Sequence, residues 1–225
     1  FRYIGMLSSR TFRWLHRIGY VATLIVISEI CTVGWFVGNA WIRSREIAAA
    51  QRENTRTHIG PLSARHDDMV SDDTLRLLGE LPPLKSLGED AARFVAMPSF
   101  GKHWFALAVR SDGNSARGVL VTVPHSGTDE FGAPTAQAFV MPVSAYKALI
   151  AQTHRLADGW PGEDGLTMDG TWFAFELVHG SSVTSGIGNS ANYGQISSAV
   201  RNGIAPYIPA IARLDGDWMD REAPE

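Results

Sequence analysis

A run of twenty residues, 18–37, contains a single acidic or basic side chain, Glu29. An α-helix rises ~1.5 Å per residue, so a helix of this length covers the ~30 Å of a bilayer's hydrocarbon core. We therefore expect a transmembrane helix over residues 18–42, in contact with the lipid bilayer. A cleavable signal peptide is the alternative, because residues 38–40 are small enough for a cleavage site. The run is long for a signal peptide and contains Glu29, which favours a retained anchor.

Charge is unevenly distributed along the chain. Residues 1–57 hold eight arginines and three acidic residues, whereas residues 58–225 hold twelve basic and twenty acidic ones. We expect no nucleic-acid partner, because binding nucleic acid requires a basic face on the domain. The pattern fits a basic collar at a membrane surface that carries an acidic domain. The single cysteine, Cys31, excludes an intrachain disulfide.

Arginine flanks the apolar run on both sides, with four residues before it and four after it. The positive-inside rule therefore leaves the orientation open, and a short tail inside with an exported domain is the usual single-span arrangement. Arginine outnumbers lysine seventeen to three, which is typical of GC-rich genomes and favours a bacterial source. We expect a single-pass protein of the bacterial inner (cytoplasmic) membrane with a periplasmic C-terminal domain.

Two faces of the predicted span carry features that lipid alone would not require. A carboxylate in mid-membrane costs about 2.5–3.5 kcal/mol on insertion scales, so Glu29 indicates a polar contact with a neighbouring subunit's helix. A protonated and tolerated Glu29 is the alternative. Gly34 and Gly38 form a GxxxG pattern, which lets two helices approach closely, and Gly34 lies about 140° around the helix from Glu29. We expect Glu29, Thr32, Gly34 and Gly38 to contact transmembrane helices of other membrane subunits.

Aromatic residues stand near both ends of the span. Amphipathic rings are enriched at the level of the lipid headgroups. We therefore expect four interfacial anchors, namely Trp14, Tyr20, Trp35 and Trp41.

The chain after the span alternates short apolar stretches with turn residues and two longer periodic segments. These patterns predict strands at 93–97, 103–110, 118–123, 165–168, 172–178 and 182–184, and helices at 144–157 and 193–204. The order indicates an α+β fold, with a mainly antiparallel sheet and two helices on one face. The predicted organisation is a basic tail at 1–17, the transmembrane helix at 18–42, a helix extension at 43–59, a linker with a short helix at 60–90, one extramembrane domain at 91–214 and an acidic tail at 215–225.

Two short motifs have the spacing of catalytic or cofactor-binding signatures, but each has a simpler structural interpretation. Residues 186–191 match GxGxxA, but residues 179–185 separate the motif from the preceding strand and no second parallel strand follows. A glycine-rich loop that helps to cap the last helix is the better interpretation. Residues 144–147 match SxxK, where Ser144 as a helix N-cap is the simpler explanation.

No metal or cofactor is expected. The seven histidines are scattered and none stands at metal-ligand spacing. The acidic residues of 66–73 lack the spacing of a calcium loop, so we interpret them as a solvated linker. His179 beside Ser181 and Ser182 raises the question of a nucleophilic site, but the chain has no GxSxG motif.

The sequence therefore favours a non-catalytic accessory subunit of a larger membrane complex over two alternatives. One is a stand-alone, membrane-tethered periplasmic binding or assembly factor, for which the helix is a plain tether. The other is a membrane-tethered serine hydrolase.

Overall fold

A computed structural model describes residues 9–65, 69–125, 131–163, 165 and 170–219. The chain divides into two compact units, Phe1–Ile47 and Ala48–Glu225. Its helices are α1 Ser9–Thr55, α2 Asp72–Gly79, α3 Leu84–Leu87, α4 Val143–Ala157, α5 Ala191–Ile204 and α6 Pro209–Ala212, with short 3-10 turns at Leu62–Ala64 and Ala205–Tyr207. Its strands are β1 His58–Ile59, β2 Asp90–Pro98, β3 His103–Ser111, β4 Ser115–Pro124, β5 Thr135–Pro142, β6 Thr171–His179 and β7 Ser182–Gly188.

As far as it is described, the first unit consists of the part of α1 that ends at Ile47. Residues 16–37 are all exposed, although most of them are apolar. By length and composition, the segment His16–Thr55 is the one helix among the described residues that is long and apolar enough to cross a membrane. The expected long apolar N-terminal helix is therefore present as a candidate membrane span.

The second unit is built on one seven-stranded sheet in the order β1-β7-β6-β2-β3-β4-β5. Every neighbouring pair of strands is antiparallel. The predicted α+β class with a mainly antiparallel sheet is confirmed. Strand β2 lies in the middle and is buried along almost its whole length, because alternate side chains point into two different cores.

The first core lies between one face of the sheet and helices α4 and α5, which pack against each other. The sheet contributes large apolar side chains to it, including Phe94, Phe105, Phe173 and Phe175. The helices contribute the residues that recur on one stripe, among them Tyr146, Leu149, Tyr193, Ile196 and Val200. A helix stripe of this kind is what the sequence periodicity predicts.

The second core lies on the opposite face of the sheet and is closed by the segment around α2 and α3. Five leucines of this segment are buried at 0–6% exposure, namely Leu62, Leu77, Leu78, Leu81 and Leu87. They pack against Ala91, Val95 and Met97 of β2. The stretch 60–90, interpreted from sequence as a linker with a short helix, thus supplies one of the two layers that cover the sheet.

A buried ion pair crosses this second core. Arg93 of β2 stands directly opposite Glu176 of β6, and its Nε donates to Glu176 Oε2 at 2.7 Å. The other carboxylate oxygen, Oε1, accepts from the backbone N–H of Leu62 at 2.8 Å, and the Arg93 guanidinium also donates to the Leu78 carbonyl at 3.3 Å. The pair therefore links the sheet to both parts of the covering segment.

Several predicted elements need correction. The strands predicted at 93–97, 103–110, 118–123 and 172–178 are confirmed but are longer, and the one predicted at 182–184 extends to Gly188. Strands β1 and β5 were not predicted. A further strand predicted at 165–168 lies, apart from Gly165, outside the described residues.

The hydroxyl of Ser71 caps α2 by accepting from the backbone N–H of Thr74. The predicted cap of α4 at Ser144 is wrong. Helix α4 begins one residue before Ser144, with Pro142 at its N-cap position and no side-chain cap. Ser144 is exposed in the first turn.

Candidate functional site

Three of the predicted contact residues, Glu29, Thr32 and Gly34, are exposed on α1, and Gly38 is partly exposed. Glu29 is exposed, and among the described residues it has no hydrogen-bond or ion-pair partner. The Thr32 hydroxyl donates to the Ser28 carbonyl at 2.8 Å, so its proton is already used within the helix. Nothing lies within 4 Å of a Cβ built on Gly34 or Gly38. The glycine face is therefore open to the approach of a second helix.

The four predicted anchors are exposed aromatic side chains. Two of them have neighbours on the helix: the ring of Trp35 meets Phe36 edge-on at 5.1 Å, and the Arg45 guanidinium lies 4.5 Å from the ring centroid of Trp41. A cationic group on an indole at the end of an apolar stretch suits the headgroup region of a bilayer. Their exposed fractions are 63% for Trp14, 70% for Tyr20, 64% for Trp35 and 59% for Trp41.

The last turn of α1 is bound into the second unit. Tyr193 of α5 donates its hydroxyl to the Thr55 carbonyl at 2.6 Å, and the Thr55 hydroxyl accepts from the backbone N–H of Glu163 at 2.9 Å. The Glu163 carboxylate in turn accepts from the N–H of Asn192 at 3.0 Å, in the first turn of α5. Burial raises the pKa of the Tyr193 hydroxyl. These contacts hold the C-terminal end of α1 against α5.

The glycines of the GxGxxA motif leave the space that the Tyr193 side chain occupies. Gly186 and Gly188 lie inside β7 rather than in a loop, and a Cβ on either would come within 2.5–2.7 Å of the Tyr193 side chain. Ser190, the N-cap residue of α5, makes no capping side-chain hydrogen bond. The interpretation of residues 186–191 as a capping loop is therefore wrong, and the close approach of Tyr193 explains both glycines.

A groove of about 830 Å³ opens beside α4 in the second unit. Its walls are α4, the residues of β1, and the adjoining ends of β2, β6 and β7. The ionisable side chains of its lining include Asp90, Lys147, His154, Asp158 and His179. No sequence pattern indicated this set, because its members lie as far apart along the chain as Asp90 in β2 and His179 in β6.

Both carboxylates of the groove are engaged by neighbouring side chains. Asp90 accepts from the Tyr146 hydroxyl at 2.8 Å, and burial together with this carboxylate raises the pKa of the Tyr146 hydroxyl. Asp158 pairs with His154, whose Nδ1 lies 2.9 Å from Asp158 Oδ1. The spacing of four residues between His154 and Asp158 on a helix was the one signal visible in sequence.

Among the described residues, the histidine and serines considered for a hydrolase site are not arranged as a base hydrogen-bonded to a nucleophile. His179 and Ser182 both line the groove, but the side chain of His179 has no hydrogen-bond partner among the described residues. His154 contacts a carboxylate and no serine hydroxyl there. A nucleophilic site requires a base within hydrogen-bond reach of the nucleophile.

Among the described residues, no group of three or more His, Cys, Asp or Glu side chains is placed to hold a metal ion. No family model, no curated protein and no solved structure matches this chain.

Proposed function

We propose that this chain is a non-catalytic, single-span accessory subunit of a larger bacterial membrane complex. Its helix α1 would pack laterally on the transmembrane helix of another subunit, and its α+β domain would cover part of that complex on the periplasmic side. The observation that carries the proposal is Glu29, an exposed carboxyl group within an apolar helix that has no partner among the described residues.

An acidic side chain is tolerated inside a membrane span only in particular surroundings. Acidic side chains inside a span cost about 2.5–3.5 kcal/mol and are usually found facing a partner helix or a water-filled cavity. The glycine face at Gly34 and Gly38 is a second surface of α1, on which the backbone of another helix can approach closely. Two such faces on one helix favour contacts with other helices over a plain tether.

The experiment is a native gel of mildly solubilised membranes, followed by mass spectrometry of the band that contains this chain. Migration with a defined large assembly is the expected result, and it would identify the other subunits. Glu29→Leu is expected to release the chain from that assembly. Ser28→Leu is the matched control, because it replaces the neighbouring polar residue on a position about 100° around the helix.

Migration near the mass of a monomer or dimer would overturn the subunit proposal. Retention of the Glu29→Leu variant in the assembly would show that Glu29 is not the contact. The groove beside α4 favours the second candidate, a tethered periplasmic binding factor, because a concave site is what such a protein uses. That candidate predicts that the chain migrates alone and that Glu29→Leu leaves its behaviour unchanged.

A further inference from the structure

The groove beside α4 has the size of a small-molecule site. Its volume of about 830 Å³ lies within the ~300–1,000 Å³ that is typical of ligand pockets. Apolar side chains form part of the wall, including Ile59, Ile150 and Ala151. Ile59 is 90% exposed on the short edge strand β1, so a ligand that covered it would remove apolar surface from water.

The polar part of the wall contains two carboxylates that are hydrogen-bonded within the protein and several side chains that, among the described residues, are not. Its two aspartates are already engaged, Asp90 by the Tyr146 hydroxyl and Asp158 by His154. Lys147 and His179 are exposed, and neither has a hydrogen-bond or ion-pair partner among the described residues. The hydroxyl groups of Ser182 and Thr184 add further donors on the β7 side. The lining side chains that have no partner among the described residues are therefore mainly hydrogen-bond donors, and one of them, Lys147, is a permanent cation.

We propose that this groove binds a small organic carboxylate with an apolar body. The carboxylate would be held by Lys147 and His179, through charge-assisted hydrogen bonds. The apolar body would cover Ile59 and Ile150. This site belongs to the Ala48–Glu225 unit alone, and the proposal does not depend on the role suggested for Glu29.

The first test compares three probes that share one apolar body and differ in charge: 3-phenylpropionate, 3-phenylpropan-1-ol and 3-phenylpropylamine. Each is titrated by calorimetry into the full chain in lipid nanodiscs, with empty nanodiscs as the blank. The carboxylate is expected to bind at least about tenfold more tightly than the alcohol or the amine, the scale of one charge-assisted hydrogen bond. Equal binding of the three probes, or no binding of the carboxylate, would overturn the proposal.

The second test locates the site with paired variants at exposed positions. Lys147→Gln is expected to weaken 3-phenylpropionate binding about tenfold, whereas Lys85→Gln, on α3, is expected to leave it unchanged. Ala151→Trp is expected to fill the groove and abolish binding, whereas Gln152→Trp, one residue further along α4 and outside the groove lining, is expected to retain it. Circular dichroism verifies that each variant is folded. Unchanged affinity in folded Lys147→Gln and Ala151→Trp would place the ligand elsewhere.

Discussion

At the scale of single residues, the Tyr193 side chain requires glycine at the two positions of β7 that it contacts. Its hydroxyl is bound to the Thr55 carbonyl at 2.6 Å, and its side chain lies against β7 where Gly186 and Gly188 leave space. A Cβ on Gly186 would stand 2.5 Å from the Tyr193 oxygen and 3.0 Å from the ring of Phe175. Because both neighbours are buried, neither can move aside without breaking the packing.

Gly186→Ala is therefore expected to lower the free energy of unfolding by about 1–3 kcal/mol, the usual cost of overpacking a core. Urea unfolding of the protein, followed by circular dichroism, measures the change. Gly194→Ala is the matched control, since a Cβ there meets nothing within 4 Å and alanine favours a helix over glycine by up to ~1 kcal/mol. Similar effects of the two substitutions would contradict the account of Tyr193.

At the scale of elements, the Arg93–Glu176 pair joins four elements of the fold. It connects neighbouring strands β2 and β6 and binds the turn that contains Leu62 as well as the end of α2 at Leu78. Arg93 is 8% exposed and Glu176 is 0% exposed. Buried charges of this kind are stable only while both partners and their hydrogen bonds remain.

Arg93→Met alone is expected to cost about 3–5 kcal/mol of stability, because it leaves the Glu176 carboxylate buried without its partner. Glu176→Gln alone leaves the Arg93 charge uncompensated, although the amide oxygen can still accept from Leu62. The double variant is expected to lose clearly less than the sum of the two single losses. Urea unfolding of the four proteins completes the cycle, and simple additivity would show that the pair is not coupled.

At the scale of the whole molecule, the boundary between the two units falls inside α1 rather than at its end. The unit Ala48–Glu225 contains the last part of the helix. Thr55 is fully buried there, and the turn that follows it is bound through the N–H of Thr57 to the Trp160 carbonyl at 3.2 Å. A fragment that represents this unit must therefore begin within the helix.

A fragment of residues 48–225 is expected to fold and to be more stable than a fragment of residues 58–225. The shorter fragment loses the hydrogen bonds of Thr55 and Thr57, at ~1 kcal/mol each, so its free energy of unfolding is expected to be roughly 2–4 kcal/mol lower. A fragment of residues 40–225 is the control, and its stability should match that of 48–225. Thermal and urea unfolding measure the three, and equal stability of 48–225 and 58–225 would contradict the role of the helix end.

The two strands that were not predicted, β1 and β5, lack the local sequence pattern by which a strand is recognised. In β5, residues 135–138 are exposed on both faces of the strand, so the polar residues there alternate only with small alanines and no large apolar side chain marks a buried face. Alanine is also depleted in strands. Strand β1 has two residues and exists through its pairing with β7, which no local pattern can predict.

The sequence by itself determined the long apolar helix, the α+β class and the stripes of α4 and α5, because each depends on length or on a local period of apolar residues. Only the tertiary structure decided the partners of Tyr193, the buried pair of Arg93 with Glu176 across 83 positions, and the groove beside α4. These features depend on strand register and on how distant segments pack. A change of one position in register would turn every side chain of a strand to the other face.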